Sequence, residues 1–437
     1  MLLLILACLG RSGDDTDTPT LDSAGEDSPT DTQDTGTQDT GSPQVDPLNP
    51  ALDCAAWPES TGSVKTVSPG DDLQGIVAAL EEGDTLLFED GTYSLNGSYL
   101  WVATPNVTLR GASGDASKVI LDGGFKTTQI LTIVASDVSV SDLTFYQAWT
   151  HGVHVTGGGH NVRLHRIVVL DPGEQGIKVN TTGETYADDG EISCSRVEMT
   201  DNSRDNAVRN SCYTGGIDMH QTRGWVIRDN EIRGFWCESG LSEHGIHLWR
   251  ANADSLIVRN RVENCARGIG IGLVDSPVSV RDHGIAGCDQ SQTYYDDING
   301  VIVNNLVLAD DSRLFASNSG FDSGIGVYQA CNARVLHNTV WSSQAPYSSL
   351  EWRFEGTNAE ITNNLVSHNL RERTTGTGTL AGNLESVGSA PFVNAAAGEL
   401  HLTAGSTPVD AGVVSDVLYD FQAQARDGSP DVGAYEL

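Results

Sequence analysis

Six segments of this chain begin with glycine and a β-branched residue and then alternate: GVHV (152–155), GIKV (176–179), GIDM (216–219), GIHL (245–248), GIGI (268–271) and GIGV (324–327). A second alternation accompanies them, reading NVRLHRIVV, WVIRDNEI, LIVRNRV, VIVNNLV, RVLHNTV and EITNNLV in turn. A period of two marks short strands, because successive side chains leave opposite faces. A strand pair of this length cannot bury its own apolar face. Repetition from residue 118 to residue 368 allows it, since stacked units share one continuous core. The units are too short and too β-rich for helical repeats, so they predict the coils of a parallel β-solenoid.

Aligning the second segments places Asn230, Asn260, Asn305, Asn338 and Asn364 at one position, with Asp142 and His165 there in earlier coils. Amides stacked in this way hydrogen-bond along the solenoid and cap backbone groups at its bend. Such ladders resemble those of right-handed parallel β-helix proteins such as pectate lyases. The resemblance implies an all-β chain folded as a single-stranded right-handed parallel β-helix. Within 67–95, Leu73, Ile76, Val77 and Leu80 share one face of an amphipathic run. This looks like the short capping helix that plugs the first coil of exported β-helices. The closing DFQAQARDGSPDVGAYEL (420–437) resembles a terminal motif of bacterial surface proteins. Capped ends matter because an open coil exposes unpaired strand edges.

The start, MLLLILACLG, is an apolar run ending near Cys8. It resembles a bacterial lipoprotein signal with ILAC (5–8) as its lipobox. That implies a lipid on Cys8 and a place on a bacterial outer membrane or cell surface. The other reading is an ordinary secretory signal and a secreted protein. Residues 11–50 hold ten acidic residues, one arginine and almost nothing apolar, so they cannot bury a core. The predicted organisation is a signal segment (1–8), a disordered acidic Asp/Thr-rich linker (9–52), an N-terminal cap with the first coils (53–117), the β-helix (118–370), and a last coil with a C-terminal cap (371–437). Asp plus Glu number 59 against 25 Lys plus Arg, a formal charge of −34, which argues against a nucleic-acid partner. No later stretch is apolar for long enough to span a bilayer, so a membrane is met only through a lipid anchor at Cys8. A monomer is expected.

Beyond Cys8 lie Cys54, Cys194, Cys212, Cys237, Cys265, Cys288 and Cys331, none in a metal-binding spacing. An exported chain uses such residues as disulfides. Cys194–Cys212 and Cys237–Cys265 are candidate clips, the odd cysteine could be free, and the pairing is otherwise open.

Placing the glycine segments in register turns Val153/Val155, Ile177/Val179, Ile217/Met219 and Ile246/Leu248 inward. His154, Lys178, Asp218 and His247 then form one outward column, with Thr156, Asn180, His220 and Trp249 in the next. Adjacent strands stand ~4.8 Å apart, so these side chains are neighbours on an exposed sheet. In the following coils these columns hold Gly270, Gly272 and Gly326. The simplest reading of any one such residue is a solvated surface position. A lysine between carboxylate and imidazole groups, with an outward tryptophan, has the composition of a site.

Residues 174–272 resemble the catalytic coils of alginate (mannuronan) C5-epimerases. That family carries a Tyr-Gly-x-Asp-Pro-His motif, matched here by Gly216, Asp218 and His220 in GGIDMHQ. HGIHLWR (244–250) supplies His244, Gly245, Ile246 and Arg250, and Lys178 in GIKVN matches the family's lysine one coil earlier. The resemblance implies His220, Asp218, Lys178 and Arg250 as the catalytic set. His154, Asn180, His244, His247, Trp249 and Glu243 around them are the candidate substrate-binding residues. Met219 replaces the motif's proline, Gln221 the acidic residue after its histidine, and Gly215 its tyrosine. Tyr213 or His247 would then have to supply a second proton.

Side-chain chemistry agrees. The C5 proton of a uronate is too weakly acidic to leave unless the adjacent carboxylate charge is offset, which Arg250 or Lys178 can do. His220 suits a general base near neutral pH. Asp218 would orient it or bind the sugar, and Trp249 could stack on a sugar ring. Reprotonation from the opposite face gives the epimer, and loss of the 4-O-linked chain gives an unsaturated end.

The expected function is action on an acidic, uronate-containing polysaccharide by C5-proton abstraction, epimerase-like or β-eliminating. The alternative is a non-catalytic glycan-binding or adhesive surface β-helix. A glycoside hydrolase needs a second carboxylate, for which Glu174 and Glu243 are the evident companions of Asp218. The sequence requires no cofactor. YADDGE (186–191), YYDDING (294–300) and LADDSR (308–313) offer oxygen ligands to calcium, solvated turns being the simpler reading.

Overall fold

The structure, a computed structural model, describes residue 46 and residues 48–57, 62–273, 281–288 and 294–437. The signal segment, Cys8 and most of the acidic linker lie outside the described residues. Among those residues, three long parallel sheets contain 12, 10 and 10 strands. The first runs from Val64–Val67 to Thr377–Ala381, the second from Leu100–Val102 to Leu370–Arg373, and the third from Gly91–Ser94 to Leu365–Val366. Successive coils each add one strand to the sheets, and the chain is the right-handed parallel β-helix that the repeat predicts. Among the described residues no helix is long and apolar enough to cross a membrane.

The glycine of each Gly-(Val/Ile) segment has a packing cause. A Cβ on Gly176 would lie 2.3 Å from Val197 Cγ1, one on Gly216 2.5 Å from Ile232 Cγ2, and one on Gly324 2.5 Å from Val340 Cγ1. The backbone turns a corner there against side chains of the third-sheet strand that follows in the chain. The following Ile or Val then points into a dry core, where Ile177, Ile217, Ile246, Ile269 and Ile325 are all fully buried.

The amide ladder is present. Each Asn Oδ1 accepts from the backbone N–H and the Nδ2 of the asparagine one coil earlier, from Asn230 through Asn260, Asn305, Asn338 and Asn364. It extends to Asn383, which accepts both bonds from Asn364. The placing of Asp142 and His165 in this column is corrected. Ser195 stands there instead, its N–H donating to Asn230 at 2.9 Å, and Ile167 precedes it, donating to Ser195 Oγ at 3.1 Å. Asp142 belongs to the column one residue earlier, shared with Asp229, Arg259, Asn304, His337 and Asn363, all left-handed with φ between 51° and 57°. His165 is a strand residue paired with Ser193. In the earliest coils the bend is filled by buried Leu143 and Ile167, so no amide is needed.

The N-terminal helix spans Leu73–Ala78, capped by the Asp72 side chain and burying Leu73 and Val77. Ile76 packs on the core only in part. At the other end, Phe392–Asn394 and Glu399–Leu402 form an antiparallel pair. Phe392, Leu402, Val432 and Tyr435 pack on Leu306, Leu308 and Trp341 of the third sheet, so this segment folds back along the flank of the solenoid.

Among the described residues the disulfides are Cys54–Cys194, Cys212–Cys237 and Cys288–Cys331, and Cys265 is free and buried. The expected clips Cys194–Cys212 and Cys237–Cys265 are therefore wrong. Cys194 sits at the left-handed bend, facing a strap that also brings Trp57 onto His165 and Ala55 O to His165 Nε2. Cys265 points inward beneath Gly245, its thiol donating to Glu263 O at 3.5 Å.

Candidate active site

The columns align as read from the sequence. His154 pairs with Lys178, Lys178 with Asp218, Asp218 with His247, and His220 with Trp249. The expectation of an exposed sheet is corrected: Lys178, Asp218, His244, His247 and Trp249 are buried, while His154, Asn180, His220, Tyr213 and Glu243 are partly exposed and only Arg250 is open to solvent. These side chains cover one another, and loops joined by Cys212–Cys237 bring Tyr213 and Glu243 against them.

Lys178 is the hub. Its Nζ donates to Asp218 in a short ion pair, lies 2.9 Å from His220 Nε2, and donates to Tyr213 OH at 3.4 Å. Asp218 also accepts from Trp249 Nε1 at 2.7 Å and from Tyr213 OH at 3.4 Å, with His220 Nε2 at 3.3 Å. Burial alone would raise the Asp218 carboxyl, but Lys178 and His220 outweigh it and hold the group well below the usual carboxylate range. Burial lowers the His220 imidazole, with Lys178 and Arg250 acting in the same sense and Asp218 opposing them. Burial and the neighbouring carboxylates push the Tyr213 phenol up. At neutral pH the cluster therefore offers a neutral imidazole and a protonated phenol on either side of an ionised carboxylate–ammonium pair.

The other candidates fall around this hub. The Arg250 guanidinium lies over the Trp249 ring at 4.8 Å. Arg250 and Ala251 both have positive φ, and Asp296 Oδ1 accepts from both backbone N–H groups, fixing this corner. Trp249 meets His220 edge-on, with ring centroids 4.6 Å apart, so its faces are not open to a sugar as a stacking platform expects: His247 stacks on one at 5.3 Å. His154 Nε2 reaches Asn180 Oδ1 at 3.0 Å. Glu243, His244 and His247 form a second group whose ligating atoms lie within 4.8 Å of one another.

The glycines at 270 and 326 do not end the stripe. The His244 ring lies over Gly270 and the Tyr328 ring over Gly326, each where a Cβ would stand. Beyond them, Glu351 is buried and accepts two bonds from Arg373, and Tyr328 pairs in register with Arg353. Tyr328 and Glu351 escaped the sequence reading, although extending the two columns by the same offsets reaches both. Carboxylates of the acidic loops have partners in the fold: Asp188 pairs with Arg281, Asp296 binds backbone N–H groups, and Asp311 pairs with Arg313. Asp297 is buried, which raises its carboxyl to about 8.

Fold and site together define a right-handed parallel β-helix with a Lys–Asp–His–Tyr cluster on the outer face of its second sheet. No protein-family model matches the chain, and no curated protein matches it significantly. Among solved structures, pectate lyase Pel9A is similar over 86% of this chain and 98% of its own, with a TM-score of 0.56 and 13% identity. An alginate lyase from Paenibacillus sp. str. FPU-7 is similar over 75% of this chain and 99% of its own, with a TM-score of 0.46 and 15% identity. The likeness to the pectate lyase is one of fold.

Proposed function

We propose that this chain acts on a uronate-containing polysaccharide by abstracting the C5 proton. The observation that carries the reading is the Lys178–Asp218 pair flanked by a neutral His220 and a protonated Tyr213. His220 takes the proton, and the electron pair passes into the uronate carboxylate. Arg250, the exposed cation at the rim, and Lys178 offset that charge. In the resting site Lys178 lies against the Nε2 lone pair of His220. Substrate entry draws the ammonium toward the uronate carboxylate, which frees Nε2 and neutralises the substrate together. Tyr213 then protonates the leaving 4-oxygen, giving a lyase, or the opposite face of C5, giving an epimerase. Tyr213 thus takes the place left by Gly215. That a protein named pectate lyase shares the fold agrees with a uronate polymer as substrate, by analogy of fold only.

The test is incubation of the protein with a panel of uronate polymers, following the ultraviolet absorbance of unsaturated ends. Product that vanishes in His220→Ala and Tyr213→Phe supports the assignment. Full activity in His220→Ala or Lys178→Ala would show the roles to be wrong. Retention of oligosaccharides without any alteration would favour the binding protein instead.

The same reading places the chain outside the cytoplasm, held by a lipid on Cys8. Three disulfides support export. Mass spectrometry of the mature N-terminus should find acylated Cys8; an unmodified chain starting at Met1 would contradict the anchor.

A further inference from the structure

Beside the Lys178 hub, His247 Nε2 lies 3.1 Å from the carbonyl oxygen of Gly272. A carbonyl only accepts, so Nε2 carries the proton and a neutral ring leaves Nδ1 as a bare lone pair. That lone pair faces Glu243 Oε2 at 3.0 Å. The contact misses hydrogen-bond geometry, and neither atom has a hydrogen-bond partner. His244 adds a third unmet demand: it is 0% exposed and neither ring nitrogen is hydrogen-bonded. Its ring centroid lies 4.3 Å from that of His247, and Gly270 leaves the space for it. A carboxylate oxygen and imidazole lone pairs, buried and turned together, need a cation between them.

We propose that Glu243, His244 and His247 bind one divalent transition-metal ion of the zinc class. Two imidazoles and a carboxylate are a borderline-soft ligand set that suits zinc better than calcium or magnesium. Two ligands each ~2.1 Å from a tetrahedral ion stand about 3.4 Å apart, close to the spacing of Glu243 and His247. The His247 bond to Gly272 O is the outer-shell contact that orients a metal-bound histidine. Arg267 is the competing cation, but its guanidinium is already held by two bonds to Ser242 O at 3.0 and 2.7 Å and stays 3.6 Å from Glu243. The ion would tie the end of the 237–243 loop to the second sheet and leave a fourth position for water or a substrate oxygen. This site is independent of the reaction proposed above, which takes no step through it.

The test uses the full chain, stripped with chelator and titrated with Zn2+ in excess Ca2+ and Mg2+, which occupy the many acidic surface oxygens. Metal content after dialysis and calorimetry are read for wild type, Glu243→Gln and His244→Asn, with circular dichroism confirming the fold of each. The expected result is a single tight equivalent of zinc, weakened at least ~100-fold in both variants. Zinc binding in the wild type no stronger than in a folded Glu243→Gln would overturn the site and leave Glu243 and His247 as a buried ion pair. Both readouts are independent of turnover, so the fate of the proposed reaction does not enter.

Discussion

His220 and Tyr213 respond to burial in opposite senses, and both changes favour proton transfer. The imidazole is lowered, so it stays neutral to a lower pH than a free histidine, while the phenol keeps its proton. Asp218, Lys178, Arg250 and Trp249 face His220. Turnover should therefore rise with pH through a value below ~6.5, the ordinary imidazole pKa, because the base works only when unprotonated. Stopped assays across pH would show this limb, and His220→Ala should reduce kcat by ~10²–10⁴-fold. A limb at or above the ordinary value would contradict the account. A second prediction concerns the buried pair. Lys178→Met leaves the buried Asp218 carboxylate without its ammonium partner, and should cost about 3–5 kcal/mol of stability in urea unfolding. The double variant with Asp218→Leu should recover most of this; additive losses would show that the pair does not interact as described. Lys178, Asp218 and His220 were legible in the sequence because strand alternation dictates which side chains leave the same face. Their burial was not, since the side chains cover one another and the loops before the strands bring Tyr213 and Glu243 against them. Tyr213 entered the reading only as a possible substitute donor, because it stands before the strand and reaches the site through its loop.

Among the elements, the glycine corner and the asparagine ladder do different work. Gly216 fixes the approach of the strand that carries Asp218 and His220. Gly216→Ala places a Cβ 2.3 Å from Gly245 O, so the strand must move. A loss of about 1–3 kcal/mol is expected, with turnover falling too. Asn305→Ala removes the side-chain bonds at the bend away from the site. It should cost a similar 1–3 kcal/mol while kcat is retained, since only backbone satisfaction is lost. Thermal melts paired with assays separate the two, and equal effects on turnover would deny the corner its positioning role. The ladder was visible as a repeated letter, but its upper end was misplaced. Alignment by apolar pattern alone slid Asp142 and His165 into a column that structure gives to Leu143, Ile167 and Ser195. The helix Asp201–Arg209 was missed altogether, being polar and lacking any apolar stripe.

For the molecule as a whole, the sheets were foreseeable because each coil repeats the same alternation, whereas the long-range ties were not. Cys54 and Cys194 are 140 residues apart, a pairing that only the path of the N-terminal strap explains. By loop entropy this bond contributes up to about 5 kcal/mol. Reduction should therefore lower the melting temperature well beyond the effect of removing Cys212–Cys237 alone. Alkylation without reductant should label Cys265 only after unfolding, since burial pushes its thiol up to about 12. The central claim is proton abstraction at C5. The direct measurement is incubation of the folded full chain with uronate polymers in deuterated water, read by NMR at C5 and at new unsaturated ends. The account predicts deuterium at C5 or unsaturated ends, lost in His220→Ala. Polymers recovered unchanged and undeuterated across the panel, from protein shown to be folded, would contradict it.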